Sequence, residues 1–165
     1  MKGLPTLQDL LDPRGRADRS GLLKVAALLM AADILLVLLL AASGAGFTGP
    51  AALLFKLGSV WLATVAVAKR LHDLDLSAWW VAKALAAVVA WSIVVAVMLL
   101  GWFSAADATN PGHAAFWINL AATTTPVLGA LVWLHLAPSS PGVNAYGPAP
   151  DRRGFSLARA RQEVF

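Results

Sequence analysis

Three short polar stretches carry the residues whose types and spacing could do chemistry. They are Gly15-Arg16-Ala17-Asp18-Arg19, then Arg70-Leu71-His72-Asp73-Leu74-Asp75-Leu76-Ser77-Ala78-Trp79-Trp80, and last Pro141-Gly142-Val143-Asn144-Ala145-Tyr146-Gly147-Pro148. Arg16 and Arg19, three apart, share a helical face if the helix that follows extends back over them. With Arg70 they would form a cationic wall able to grip an anionic lipid headgroup, a ligand or a partner protein. The same three arginines can instead pair with Asp18, Asp73 and Asp75, tying helix ends and tail together at a half-wet surface where each ion pair contributes about 0–1 kcal/mol. His72-Asp73 invites a third reading, an enzyme acting on a lipid or prenyl substrate. Adjacent residues in a turn point in different directions, however, and no nucleophile or metal-ligand spacing accompanies them. Asn144 and Tyr146 stand in a turn-rich stretch from which Tyr146 could pack back onto the rest of the molecule. The binding reading therefore rests on Arg16, Arg19, Arg70, His72, Asp73, Asn144 and Tyr146, with no catalytic residue, no metal ligand and no cofactor.

A second set of polar residues lies inside apolar segments. Asp33 falls near the centre of a long apolar run, where a charged carboxylate costs roughly 2.5–3.5 kcal/mol on insertion scales. It must face protein and find a partner, or stay protonated. Lys56, on the next segment, comes within about a turn of the same depth if the two helices run antiparallel. An internal Asp33–Lys56 pair, or a neutral Asp33 donating to a hydroxyl, is the structural reading, and a channel or proton-linked carrier using Asp33 is the functional one. His113 and His135 mark opposite ends of the last apolar segment, too far apart to share a metal.

The elements that must position these groups follow from composition. Of 165 residues 59% are apolar and 13% charged, a balance far from that of soluble domains. With no cysteine, disulfides, thiolate metal sites and cysteine nucleophiles are closed off. The net charge of +4 would suggest nucleic acid in a soluble chain, but the basic residues sit at the edges of apolar runs and read as topology signals, so no nucleic-acid partner is expected. Four runs are long enough to cross a hydrocarbon core of about 30 Å. The expected helices are 22–42, 51–68, 80–103 and 114–137. The last contains Thr123-Thr124-Thr125-Pro126, which predicts a kinked helix rather than a broken one. Ala41-Ala42-Ser43-Gly44-Ala45 would suit a signal peptidase, but the run is too long and a polar stretch of about twenty residues precedes it, so the first segment is read as retained. Thr6-Leu7-Gln8-Asp9 reads as a capping box opening a short interfacial helix. The fold expected is all-α: a polytopic membrane protein of four transmembrane helices in a compact bundle, residues 1–150, with a short N-terminal interfacial helix and a flexible tail over 151–165.

Orientation follows from the cations. Lys2, Arg14, Arg16, Arg19, Lys24, Lys69, Arg70, Lys83, Arg152, Arg153, Arg159 and Arg161 fall on one side, leaving Lys56 of the 13 basic residues within snorkelling reach of the other. Both termini are thus expected in the cytoplasm. Trp79, Trp80 and Trp133 fall at the inner boundary and Trp102 and Trp117 at the outer, which agrees. Membrane lipid is the expected partner, together with another membrane or cytoplasmic protein.

The ordered set GR-x-x-R before the first span, RLHD with a following S-x-W-W at the inner turn, and N-x-YGP after the last span resembles the domain of unknown function 805 family. The resemblance covers nearly the whole chain. It implies a small multi-pass protein of the bacterial inner membrane and brings no biochemical activity with it. Two positions depart from the family pattern: Asp75-Leu76 stands where a glycine and a basic residue usually precede the serine, and Ala145 stands where arginine is common.

Overall fold

A computed structural model describes residues 5–44, 49–151 and 153–156. Lys2, Arg152, Arg159 and Arg161 of the charge pattern, Ala45 of the small-residue stretch, and tail residues 157–165 lie outside them. Among the described residues the regular elements are α-helices apart from two strands of two residues each. It divides into two units, Met1–Ala78 with Ala137–Phe165, and Trp79–Leu136.

In the first unit α1 (Leu7–Leu11) starts from the expected box: the Thr6 hydroxyl accepts from the Asp9 N–H at 3.2 Å, and Asp9 Oδ2 accepts from the Thr6 N–H at 2.8 Å. Strand β1 (Arg16–Ala17) follows, then α2 (Arg19–Ser43), which Asp18 caps by accepting from the Gly21 N–H at 2.8 Å. Arg16 therefore lies on a strand and Arg19 on a helix, with the cap between them. The shared helical face expected of the two arginines does not form. The next helix, α3 (Pro50–Asp73), opens with proline at its first turn, where the missing N–H costs nothing. It packs along α2 and carries α1 and β1 near its far end.

α3 runs five residues past its expected end at 68. Hydropathy breaks at Lys69, but the helix does not, because Lys69, Arg70, His72 and Asp73 turn into a buried polar cluster. Leu74 and Asp75 close it, the latter at φ +61°. An aspartate tolerates this left-handed conformation better than most side chains, and glycine tolerates it best.

The tail returns to the same unit. Strand β2 (Phe155–Ser156) pairs antiparallel with β1, Arg16 opposite Ser156 and Ala17 opposite Phe155. Phe155 is 1% exposed. Within the stretch expected as a tail, Asp151 and 153–156 lie against β1 and the start of α2. The contact is close enough that a Cβ on Gly21 would lie 2.4 Å from the Gly154 carbonyl oxygen, so this approach needs glycine.

In the second unit α4 (Trp79–Leu100) and α6 (Ala114–Leu136) pack together, joined through α5 (Ala105–Thr109). α4 ends three residues short of 103, in a turn at Gly101. Ser104 and Asp107 form a second capping box there, opening α5. Its hydrogen bonds from the Ser104 hydroxyl and N–H hold the Asp107 carboxyl below its ordinary range.

α6 continues through Pro126 unbroken, as the sequence implies. The hydroxyls of Thr123, Thr124 and Thr125 turn back onto the Asn119, Leu120 and Ala121 carbonyls at 2.6–2.7 Å. Pro126 has no N–H for the Ala122 carbonyl, and the Trp91 indole of α4 donates to that oxygen at 2.8 Å.

α2, α3, α4 and α6 are each long and apolar enough to cross a membrane. Their side chains are mostly exposed large hydrophobics, the arrangement expected when lipid rather than water surrounds them. The protein is an all-α polytopic membrane protein.

Candidate functional site: a closed polar cap

The polar cap of the first unit is built around Asp73, in the last turn of α3. Its Oδ1 accepts from Arg16 Nε at 3.1 Å and Arg16 Nη2 at 2.8 Å, and its Oδ2 accepts from Arg70 Nη1. All three side chains are 0% exposed. Arg70 reaches the carboxylate from one helical turn away, whereas Arg16 comes from β1.

Two guanidinium groups against one carboxylate leave a net positive charge underground, and the tail supplies the remaining acceptors. Arg16 Nη1 donates to the Gly142 carbonyl at 2.6 Å and Nη2 to the Ser140 carbonyl at 2.7 Å. Arg70 donates to the Ala137 carbonyl at 2.5 Å and to the Ser139 hydroxyl at 3.1 Å. The chain leaving α6 thus wraps two buried cations with its own backbone, which satisfies both partners at once. Ser140 returns the contact, donating through both its N–H, at 2.8 Å, and its hydroxyl, at 2.9 Å, to the Asp73 carbonyl.

Asn144 and Tyr146 complete the wrap. Asn144 Nδ2 donates to the His72 carbonyl at 2.8 Å, and its Oδ1 accepts from the Tyr146 N–H at 2.9 Å. Tyr146 stacks flat on the His72 ring, centroids 4.0 Å apart and planes 4° from parallel. The turn beneath is tightened by two backbone bonds between Asn144 and Gly147. His72 Nδ1 lies 3.0 Å from the Gly15 carbonyl, which can only accept, so Nδ1 carries the proton there.

Beside this cluster Lys69, also fully buried, donates to the Asp9 carbonyl at 2.9 Å and lies 5.7 Å from the Phe155 ring centre. Arg153 sits 3.7 Å from Asp9 and is hydrogen-bonded to Asp151. That hydrogen bond first, then the charges of Asp151 and Asp9, raises the Arg153 guanidinium above its ordinary value. Lys24 holds the strap by donating to the Arg153 carbonyl at 2.5 Å.

Of the residues singled out in the sequence, Arg16, Arg70, His72, Asp73, Asn144 and Tyr146 therefore meet, although up to 130 positions apart. The cationic wall does not. Arg16 and Arg70 face inward onto Asp73 and onto carbonyls, while Arg19 is exposed at the head of α2. Asp18 turns its Oδ1 to the cap of α2 rather than to an arginine side chain. Both oxygens of Asp73 are taken by arginine, so its carboxylate does not orient the neighbouring imidazole as an acid–base pair requires. Among the described residues no three of His, Cys, Asp and Glu come together in a way that could hold a metal.

Asp33 and Lys56 do pair, Lys56 Nζ to Asp33 Oδ1 at 2.9 Å. The pair is not internal as expected: the two side chains are 41% and 60% exposed.

Sequence reasoning does not bring Lys69, Ser140 or Phe155 to the site, and it gives Asp9 only its role in the α1 cap. Lys69 reads as an edge charge in the sequence, and its adjacency to Arg70 at a helix end is the available signal. Nothing local marks Phe155, since a strand of two residues has no periodicity to read.

Comparison with curated proteins and with solved structures finds no match. The family model described as "Protein of unknown function (DUF805)" matches residues 10–148, a span that holds every residue of the Asp73 cluster and its wrap and stops short of β2. This chain belongs to that family.

Proposed function

We propose that this protein is a non-enzymatic component of a bacterial inner membrane, with both termini in the cytoplasm, that binds anionic lipid headgroups through its cap. The observation that carries the reading is a division of labour among the cap's cations. Arg16 and Arg70 neutralise Asp73 and hold the tail, whereas Arg14 and Arg19 stand exposed on either side of β1. α1, close by in the chain, turns Leu7 and Leu11 outward and Asp9 inward, the pattern of a short helix lying along a membrane surface. Basic residues beside such a helix favour anionic headgroups by about 1 kcal/mol each. His72 and Asp73 support a non-enzymatic role, because the imidazole Nδ1–H and the carboxylate are turned to the fold rather than to a cavity.

The test is native mass spectrometry of the protein released from vesicles containing phosphatidylglycerol. Wild type is expected to retain the anionic lipid. The Arg14→Gln/Arg19→Gln pair is expected to lose most of it, with unfolding resistance unchanged. Equal retention by the two proteins would overturn the reading.

A further inference from the structure

The Asp33–Lys56 pair has no role in the cap, and its setting is unusual. It joins the middle of α2 to α3, in segments whose mean hydropathy is 2.7 and 1.8. The contact uses one of three ammonium N–H groups and one of two carboxylate oxygens. The remaining donors and acceptor are left over on side chains that are 60% exposed for the lysine and 41% for the aspartate. Hydrocarbon offers nothing to these atoms, and ionisable residues within spans face either protein or a water-filled cavity. Their neighbours on the same sides of the two helices, Val37 one turn from Asp33 and Leu53 one turn from Lys56, are exposed and apolar. Such a surround suits a dry protein interface and not a wet cavity.

We infer that this face of α2 and α3 is covered by the same face of a second copy of the chain, in the same orientation across the membrane. The argument is one of charge complementarity. The 2.9 Å contact fixes the two charges side by side at one depth, on two antiparallel helices. A half-turn about the membrane normal leaves depth unchanged and exchanges left for right. Each copy then sets its ammonium against the other's carboxylate, giving four alternating charges in which every group gains a second opposite neighbour. An isologous contact of this kind closes on itself and ends at two subunits. The inference does not depend on lipid binding at the cap.

Association is read by native mass spectrometry from detergent-free membrane discs, and register by disulfide formation, since the chain has no cysteine of its own. Wild type is expected as two chains. Val37→Cys and Leu53→Cys chains expressed together are expected to link to each other. Asp33→Leu/Lys56→Leu, more apolar and thus at least as well inserted, is expected to lose association about tenfold. The exchanged variant Asp33→Lys/Lys56→Asp, which preserves the alternating ring, is expected to keep it. A monomeric wild type, a leucine variant that still associates, or a dimer without the Val37–Leu53 link would each overturn the inference.

Discussion

Asp73 receives two fully buried guanidinium groups, and its removal leaves both without a counter-charge among their described hydrogen-bond partners. Breaking a buried ion pair by deleting one partner typically costs about 3–5 kcal/mol, far more than the net contribution of the pair itself. Asp73→Asn is therefore expected to lower resistance to unfolding by an amount in that range in a detergent titration, and an unchanged midpoint would mean that the Asp73 charge does not hold the cap together. The sequence placed Arg16, Arg70, His72 and Asp73 at one boundary, because charged residues at the ends of apolar runs must be there. It did not say which way the arginines face. That is decided by the Ser140 and Gly142 carbonyls, more than 120 residues further on than Arg16, and no local pattern carries the information. A wall of three cations and a closed cluster of two have the same spelling.

At the scale of elements, the spans were legible because lipid demands long apolar helices, while their ends were not. Hydropathy marks where lipid stops, and α3 passes that point to deliver Lys69, Arg70, His72 and Asp73 into the cap. α6 was legible in the opposite sense: the threonines and Pro126 announced a weakened ladder, and what had to be found was the donor. Trp91 supplies it at 2.8 Å. Interhelical hydrogen bonds in membranes contribute about 0.6–2 kcal/mol, so Trp91→Phe is expected to destabilise the α4–α6 pair by about 1 kcal/mol. The check is a double-mutant cycle. Pro126→Ala restores a backbone N–H for the Ala122 carbonyl, and Trp91→Phe made on that background is expected to cost markedly less. Equal costs on the two backgrounds would mean that the indole bond does not answer the proline. β2 was illegible altogether. Its two residues follow a stretch rich in proline and glycine, and they are held by the glycines at 21 and 154, whose close approach is a fact of tertiary structure.

For the whole molecule, the account requires that the segments before α2, between α3 and α4, and after α6 meet on one side of the membrane. Four crossings and the distribution of lysine and arginine predict this sidedness, and within the first unit the cap joins the first segment to the last through Asp73. The absence of cysteine makes this directly measurable. Single cysteines at Asp12, Asp75 and Ala149 are expected to resist a membrane-impermeant maleimide in intact spheroplasts and to react in inverted vesicles, with a cysteine at Thr109 doing the reverse. Any split among the three cap positions, one labelled from outside and another from inside, would contradict the fold and with it the cap.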